Sequence, residues 1–162
     1  MWMRKYILLV LMAMAVYKGH AQQIPSIKMA ELAQYMANSD LVLVVNFWAT
    51  FCKPCVEEIP FMQRITRQYA GQKVKLLLVS LDIKEYYPVK LRSFVKKQGF
   101  KAPVVWLNET NADYFCPLAD PKWSGAIPAT LIINNKTGQR RFYEEPFTPA
   151  KFEKELRAVI GL

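Results

Sequence analysis

The chain of 162 residues contains one histidine, His20, and only three cysteines. His20 falls in an N-terminal segment that reads as removable, so the remainder is expected to carry no imidazole. That absence excludes Ser-His-Asp and Cys-His nucleophilic sites and most zinc and haem sites. Three cysteines are too few for a disulfide-stapled mini-protein, and with hydrophobic residues at 52% a packed core needs no such framework. Any cysteine pair is therefore read as chemical rather than structural. Internal repeats, low-complexity stretches and interdomain linkers are missing too. Beyond the N-terminal segment the only basic doublets are Lys96-Lys97 and Arg140-Arg141, which reads as a solvated basic surface and gives no case for nucleic acid.

The N-terminus carries Arg4 and Lys5, then an apolar run from Tyr6 to Val16, then Gly19-His20-Ala21 with small residues where a signal peptidase reads. That order matches a signal peptide over residues 1–21, with cleavage expected after Ala21 and residues 22–162 as a single domain. The apolar run is short for a transmembrane span, although retention as a membrane anchor is the competing reading. Loss of Arg4, Lys5 and Lys18 takes the formal net charge from +9 to +6. The expected location is periplasmic or otherwise extracytoplasmic.

Apolar spacing predicts a helix over Lys28 to Asn38, with Met29, Leu32, Ala33 and Met36 on one stripe. Leu41 to Trp48 is apolar apart from Asn46 and fits a central strand buried on both faces. Lys53 to Tyr69 reads as a helix closed by Gly71, with Pro60 expected to kink it. A second buried strand over Lys73 to Leu81, a helix over Val89 to Lys97 and a short strand over Val104 to Leu107 follow. Residues 108–127 read as loop, because Pro117, Pro121 and Gly125 break the pattern. Ala129 to Asn134 and Gln139 to Glu144 form a hairpin, and Thr148-Pro149 starts the last helix with Thr as cap. This order gives an α/β fold: a mixed central sheet, βαβ then ββα, with helices on both faces.

Cys52-Lys53-Pro54-Cys55 stands where the first long strand hands over to its helix. There the free N–H groups and positive dipole end stabilise a thiolate on Cys52, and Lys53 adds a cation. One helical turn separates the two sulfurs, so they can close a disulfide. Cys52 is read as the exposed nucleophile and Cys55 as the deeper, resolving thiol. A zinc knuckle would need four ligands where only Cys116 is left over, and a c-type haem site would need His where Val56 stands. No metal and no cofactor beyond the redox-active pair is expected.

The segment Asn46-Phe47-Trp48-Ala49-Thr50-Phe51-Cys52-Lys53-Pro54-Cys55 resembles the active-site segment of the thioredoxin superfamily. More narrowly it is similar to exported TlpA/ResA-type thiol–disulfide oxidoreductases, with Glu57-Glu58-Ile59-Pro60-Phe61-Met62 and Ile127-Pro128-Ala129-Thr130 extending the match over roughly residues 40–160. The resemblance implies a thioredoxin fold. It implies that Pro128 is a cis-proline lying against the cysteine pair and that, with Ile127 and Trp48, it forms the substrate side of the site. Glu58 matches a buried glutamate beneath the cysteines. Its spacing from Cys55 places both on one helix face, where a raised pKa would suit proton transfer to a leaving thiol. Asn46 stands where cytosolic thioredoxins carry a buried aspartate. Two departures stand out: Phe51 replaces a tryptophan common before the first cysteine, and the chain begins with a helix where the exported subgroup often has a β-hairpin. Cys116 reads as a semi-buried bystander, and Trp123 as a residue lining the substrate surface beside Pro128.

The leading expectation is an exported dithiol reductase of protein disulfides, regenerated by a membrane electron donor such as a transmembrane thiol reductase, with a monomer as default. The resemblance adds cytochrome c maturation as one role. Competing readings are a thiol oxidase donating its disulfide to exported proteins, a non-catalytic thioredoxin-like binding module, and a thiol peroxidase.

Overall fold

The structure, a computed structural model, describes residues 23–162. The expected signal segment lies outside the described residues. Six strands form one sheet: β1 (Ser26–Ile27), β2 (Val42–Trp48), β3 (Val74–Ser80), β4 (Val104–Leu107), β5 (Ala129–Asn134) and β6 (Gln139–Tyr143). Their order is β1-β4-β3-β2-β5-β6, with the first four mutually parallel, β5 antiparallel to β2 and β6 antiparallel to β5. Among the described residues five helices cover it: α1 (Met29–Asn38), α2 (Lys53–Gln68), α3 (Val89–Gln98), α4 (Ala112–Ala119) and α5 (Pro149–Ile160).

The two-residue period of β2 sorts the layers. Val42, Val44 and Trp48 join the core made with Ile59 and Met62 of α2, Leu91 and Val95 of α3, and Phe152 and Leu156 of α5. Leu43, Val45 and Phe47 point the other way, into the core made with Met29, Leu32 and Met36 of α1 and Phe115, Cys116 and Ala119 of α4. A strand sandwiched between two helical layers must be apolar on both faces, which explains the unbroken run in β2. Its one polar member, Asn46, lies on the α2 side and is fully buried.

Three details differ from the sequence reading. The stretch expected to be loop contains α4, because Phe115, Cys116 and Ala119 bury against α1 and outweigh the local signal of Pro117, near the helix end. A short strand, β1, precedes α1 and pairs with β4 through Ser26–Trp106 and Ile27–Leu107. Gly71 does not itself close α2. A 3₁₀ turn over Ala70–Gln72 follows the helix, and Lys73 takes the left-handed conformation, at φ 58°, before β3. The remaining elements fall within a residue or two of expectation, including Thr148 as cap of α5, whose hydroxyl accepts from the Lys151 N–H.

Candidate redox site

The site forms at the carboxyl end of β2 and the amino end of β5, which the register Phe47–Ala129 brings side by side. After Trp48 the chain turns: the Cys52 N–H donates to the Ala49 carbonyl at 3.1 Å, and Cys52 becomes the extended N-cap of α2. Cys52 and Cys55 are joined as a disulfide, their Cα atoms 5.3 Å apart. Cys55 is wholly buried, whereas Cys52 keeps 8% of its surface. Cys52 is thus less open than the exposed nucleophile read from sequence, because the segment preceding Pro128 covers it. It is still the only sulfur of the pair that an incoming group can reach. The Cys52 Sγ lies 3.8 Å from the Ile127 carbonyl oxygen, and the Ile127–Pro128 bond is cis.

The first turn of α2 limits how far a Cys52 thiolate is stabilised. An N-cap side chain accepts from the second or third N–H of its helix. Here the second residue is Pro54, which has none, so only Cys55 offers a donor. Lys53 adds little, since its ammonium is highly exposed and pairs with the equally superficial Glu57 at 3.7 Å.

Glu58 sits one turn beyond Cys55 and is almost fully buried, at 2% exposure. Its carboxylate accepts from the Asn46 side-chain amide at 2.8 Å and from the Phe147 N–H at 2.9 Å. Burial pushes its pKa up to about 7, and these two donors offset only part of that rise. The same Asn46 amide donates to the Thr130 hydroxyl directly across the β2–β5 pair, and its own Oδ1 has no partner among the described residues.

A second buried carboxylate, Asp82, joins the site from the end of β3, outside the residues the sequence pattern singles out. It accepts from the Thr50 N–H at 3.1 Å, the Thr50 hydroxyl at 2.5 Å and the Ser80 hydroxyl at 2.8 Å, and its backbone carbonyl accepts from the Trp106 indole at 2.6 Å. Thr50 is two residues before Cys52, so Asp82 pins the turn that leads into it. The pattern Ser80-Leu81-Asp82 at the end of a buried strand was the available signal. Asp82→Ala would leave the Thr50 and Ser80 donors without their acceptor and is expected to lower stability by about 2–4 kcal/mol. Asp82→Asn, which keeps an acceptor for Thr50, is expected to cost about half as much, and urea unfolding of the two variants checks this.

Two aromatic expectations are corrected. Trp48 is fully buried against Phe94 and Phe100, so its ring has no surface to offer a substrate. Trp123, read as lining the substrate surface, instead packs on Phe47 with ring centroids 4.4 Å apart and donates its indole N–H to the Ala126 carbonyl. Both rings are drawn into the cores by their area. Cys116 is buried and free, with its thiol pushed up to about 11 chiefly by burial, which makes it inert toward exchange.

Residues 20–138, well over half of the chain, match the AhpC/TSA family. The chain belongs to the AhpC/TSA family. Among relatives of this AhpC/TSA chain, the thioredoxin-like protein YneN of Bacillus subtilis (strain 168) is 27% identical over 115 residues, covering 70% of this chain and 62% of that one. The thiol-disulfide oxidoreductase ResA of Halalkalibacterium halodurans is 29% identical over 90 residues, covering 56% and 46%. The matches thus span less than two thirds of the length of these curated relatives. The fold is similar to a thiol:disulfide interchange protein, a thioredoxin family protein, from Chlorobium tepidum TLS. That comparison has a TM-score of 0.61 and 19% identity, covering 89% of this chain and 99% of that one. StoA from Bacillus subtilis gives a TM-score of 0.55 at 24% identity, covering 72% and 83%. The architecture is that of the thioredoxin fold.

Proposed function

We propose that this chain is an extracytoplasmic thiol–disulfide oxidoreductase that reduces protein disulfides through Cys52 and Cys55. The observation that carries the reading is a disulfide at a strand–helix junction whose one accessible sulfur lies against the carbonyl that precedes a cis-proline. In the reduced protein the Cys52 thiolate attacks one sulfur of a substrate disulfide. This forms a mixed disulfide and releases one substrate thiolate. The Cys55 thiolate then attacks Cys52, releasing the second substrate thiolate and closing the Cys52–Cys55 disulfide. Two electrons and, in net, the two thiol protons pass from the dithiol to the substrate, with Glu58 placed to take the proton of the buried Cys55 as it becomes the attacking thiolate. Ile127 and Pro128 provide the edge along which a substrate chain lies.

Three features favour the reducing direction. Pro54 removes one of the two N–H groups that would stabilise a Cys52 thiolate. Lys53 is screened, and an ionised Glu58 beneath the pair opposes further negative charge. Each leaves the thiolate less stabilised and the dithiol a better reductant. Export rests on the charged, apolar and small-residue sequence of residues 4–21 and implies a membrane donor to regenerate the dithiol. The likeness to ResA-type proteins puts apocytochrome c cysteines beside misoxidised proteins as substrates to test.

Equilibration of the purified protein against glutathione or dithiothreitol buffers is expected to give a potential at or below about −220 mV. A value near −120 mV, on the order of the strong oxidants, would reverse the direction. Failure to form the disulfide at any poise would remove the redox assignment.

A further inference from the structure

The segment from Asp120 to Pro128 has no helix or strand, yet it ends on the carbonyl that touches Cys52. Such a stretch must be held by particular contacts if it is to present a fixed edge. The contacts that hold Ser124 and the Ala126 N–H converge on Glu144, which follows β6. Its Oε1 accepts from the Ser124 hydroxyl at 2.5 Å, the Ser124 N–H at 3.1 Å and the Ala126 N–H at 2.9 Å, and Oε2 lies 3.3 Å from the Ser124 nitrogen. Gly125, between the two anchored residues, has φ +98°, a conformation that lets both N–H groups turn toward one oxygen. A side chain there would also meet the Cys116 sulfur at 3.7 Å. The Ala126 carbonyl is taken by the Trp123 indole. Both backbone polar groups of Ala126 are therefore fixed, one residue before Ile127. Burial alone would raise the Glu144 pKa, but the Ser124 and Ala126 donors outweigh it and hold the group below its ordinary value.

We propose that Glu144 is a positioning residue that preorganises the Ser124–Pro128 segment to receive the main chain of a protein substrate. This rests on the oxidoreductase reading above. A peptide that lies along Ile127 and Pro128 gains main-chain contacts only if that edge is already in place. Without Glu144 each binding event must order the segment, and the loss falls on affinity. The chemistry of Cys52 and Cys55, built on β2 and α2, is untouched. A disulfide without a peptide backbone does not use the edge and is indifferent to the anchor.

The test compares Glu144→Ala, Glu144→Gln and Ser124→Ala in the full chain, with dithiothreitol as electron source. A peptide containing one disulfide and the backbone-free hydroxyethyl disulfide serve as substrates. Glu144→Ala is expected to raise KM for the peptide roughly tenfold, the scale of losing hydrogen bonds to a charged acceptor. Its kcat and its rate with hydroxyethyl disulfide stay within about twofold. Glu144→Gln, which keeps an oxygen in the place of Oε1, recovers most of the loss. Hydrogen exchange at the Ala126 amide is accelerated in Glu144→Ala. An unchanged peptide KM, an equal loss with both disulfides, or a Gln variant as impaired as the Ala variant overturns the proposal. Should Glu144→Ala fail to fold, Ser124→Ala, which removes the hydroxyl bond alone, is expected to show a smaller rise in peptide KM, and no rise counts against it. A wild type inert toward both disulfides would sink the oxidoreductase reading itself. The exchange rate of Ala126 would then still decide whether Glu144 anchors the segment.

Discussion

Cys52→Ser is expected to abolish turnover of a protein disulfide, by about 10³-fold or more, the scale on which enzymes lose activity with their nucleophile. Cys55→Ser is expected to fail differently. Cys55 has no exposed surface and Cys52 has a little, so the first attack is open to Cys52 alone. The Cys55→Ser protein still attacks, releases one substrate thiolate and then stops, because the thiol that resolves the mixed disulfide is gone. Incubated with substrate, it accumulates a covalent adduct that runs at the summed mass on a non-reducing gel and dissolves on addition of dithiothreitol. Mass spectrometry places the cross-link on Cys52. The inverse pattern, with an adduct on Cys55 in the Cys52→Ser protein, would mean that the accessible face has been assigned to the wrong sulfur. Cys116 is not expected to replace either cysteine, since burial holds its thiol far above neutrality.

The division between what could be read along the chain and what could not follows the range of the interactions. Cys52, Cys55 and Glu58 lie within seven residues on one strand–helix junction, where a single periodicity fixes their relative placement. Their arrangement was therefore legible before any tertiary contact was known. Asp82 and Glu144 reach across 32 and 20 residues to hold Thr50 and Ser124. Neither belongs to a helical or strand stripe that would mark it as structural, so only the folded sheet reveals their partners. The helix α4 escaped because its justification is also distant. Phe115, Cys116 and Ala119 are stabilised by α1, while the local text of Pro117, Pro121 and Gly125 argues for loop. Trp48 and Trp123 were over-read for the opposite reason. Their proximity to the site in sequence was genuine, but a ring of that area beside two apolar layers is buried first.

The pH dependence of stability is expected to carry the signature of Glu58. Its ordinary value of 4.5 applies to the unfolded chain, and in the folded protein burial raises it to about 7. The folded state thus binds the proton more tightly than the unfolded state. The contribution of Glu58 to stability is fullest below about pH 4.5, falls as pH rises toward 7 and levels off above it. At 1.36 kcal/mol per unit, the fall attributable to this one group is about 3 kcal/mol. Glu58→Gln removes it. The amide can still accept from the Phe147 N–H, and a half-turn of the Asn46 amide presents the unpartnered Oδ1 to the new NH₂ group. The variant is therefore expected to match wild type near pH 5 and to exceed it by about 1–3 kcal/mol at pH 8, measured by urea unfolding at the two pH values. Activity moves the other way. A carboxylate that titrates near neutrality beneath the cysteine pair can take the proton of Cys55 as it attacks and return it when the dithiol is regenerated, whereas an amide cannot. In wild type the rate of mixed-disulfide resolution should titrate with an apparent pKa near 7, and in Glu58→Gln that inflection should vanish, leaving a slower resolution step. A variant that gained stability at pH 8 and kept the inflection would separate the two roles. The buried charge would then be a cost to the fold with no part in proton transfer.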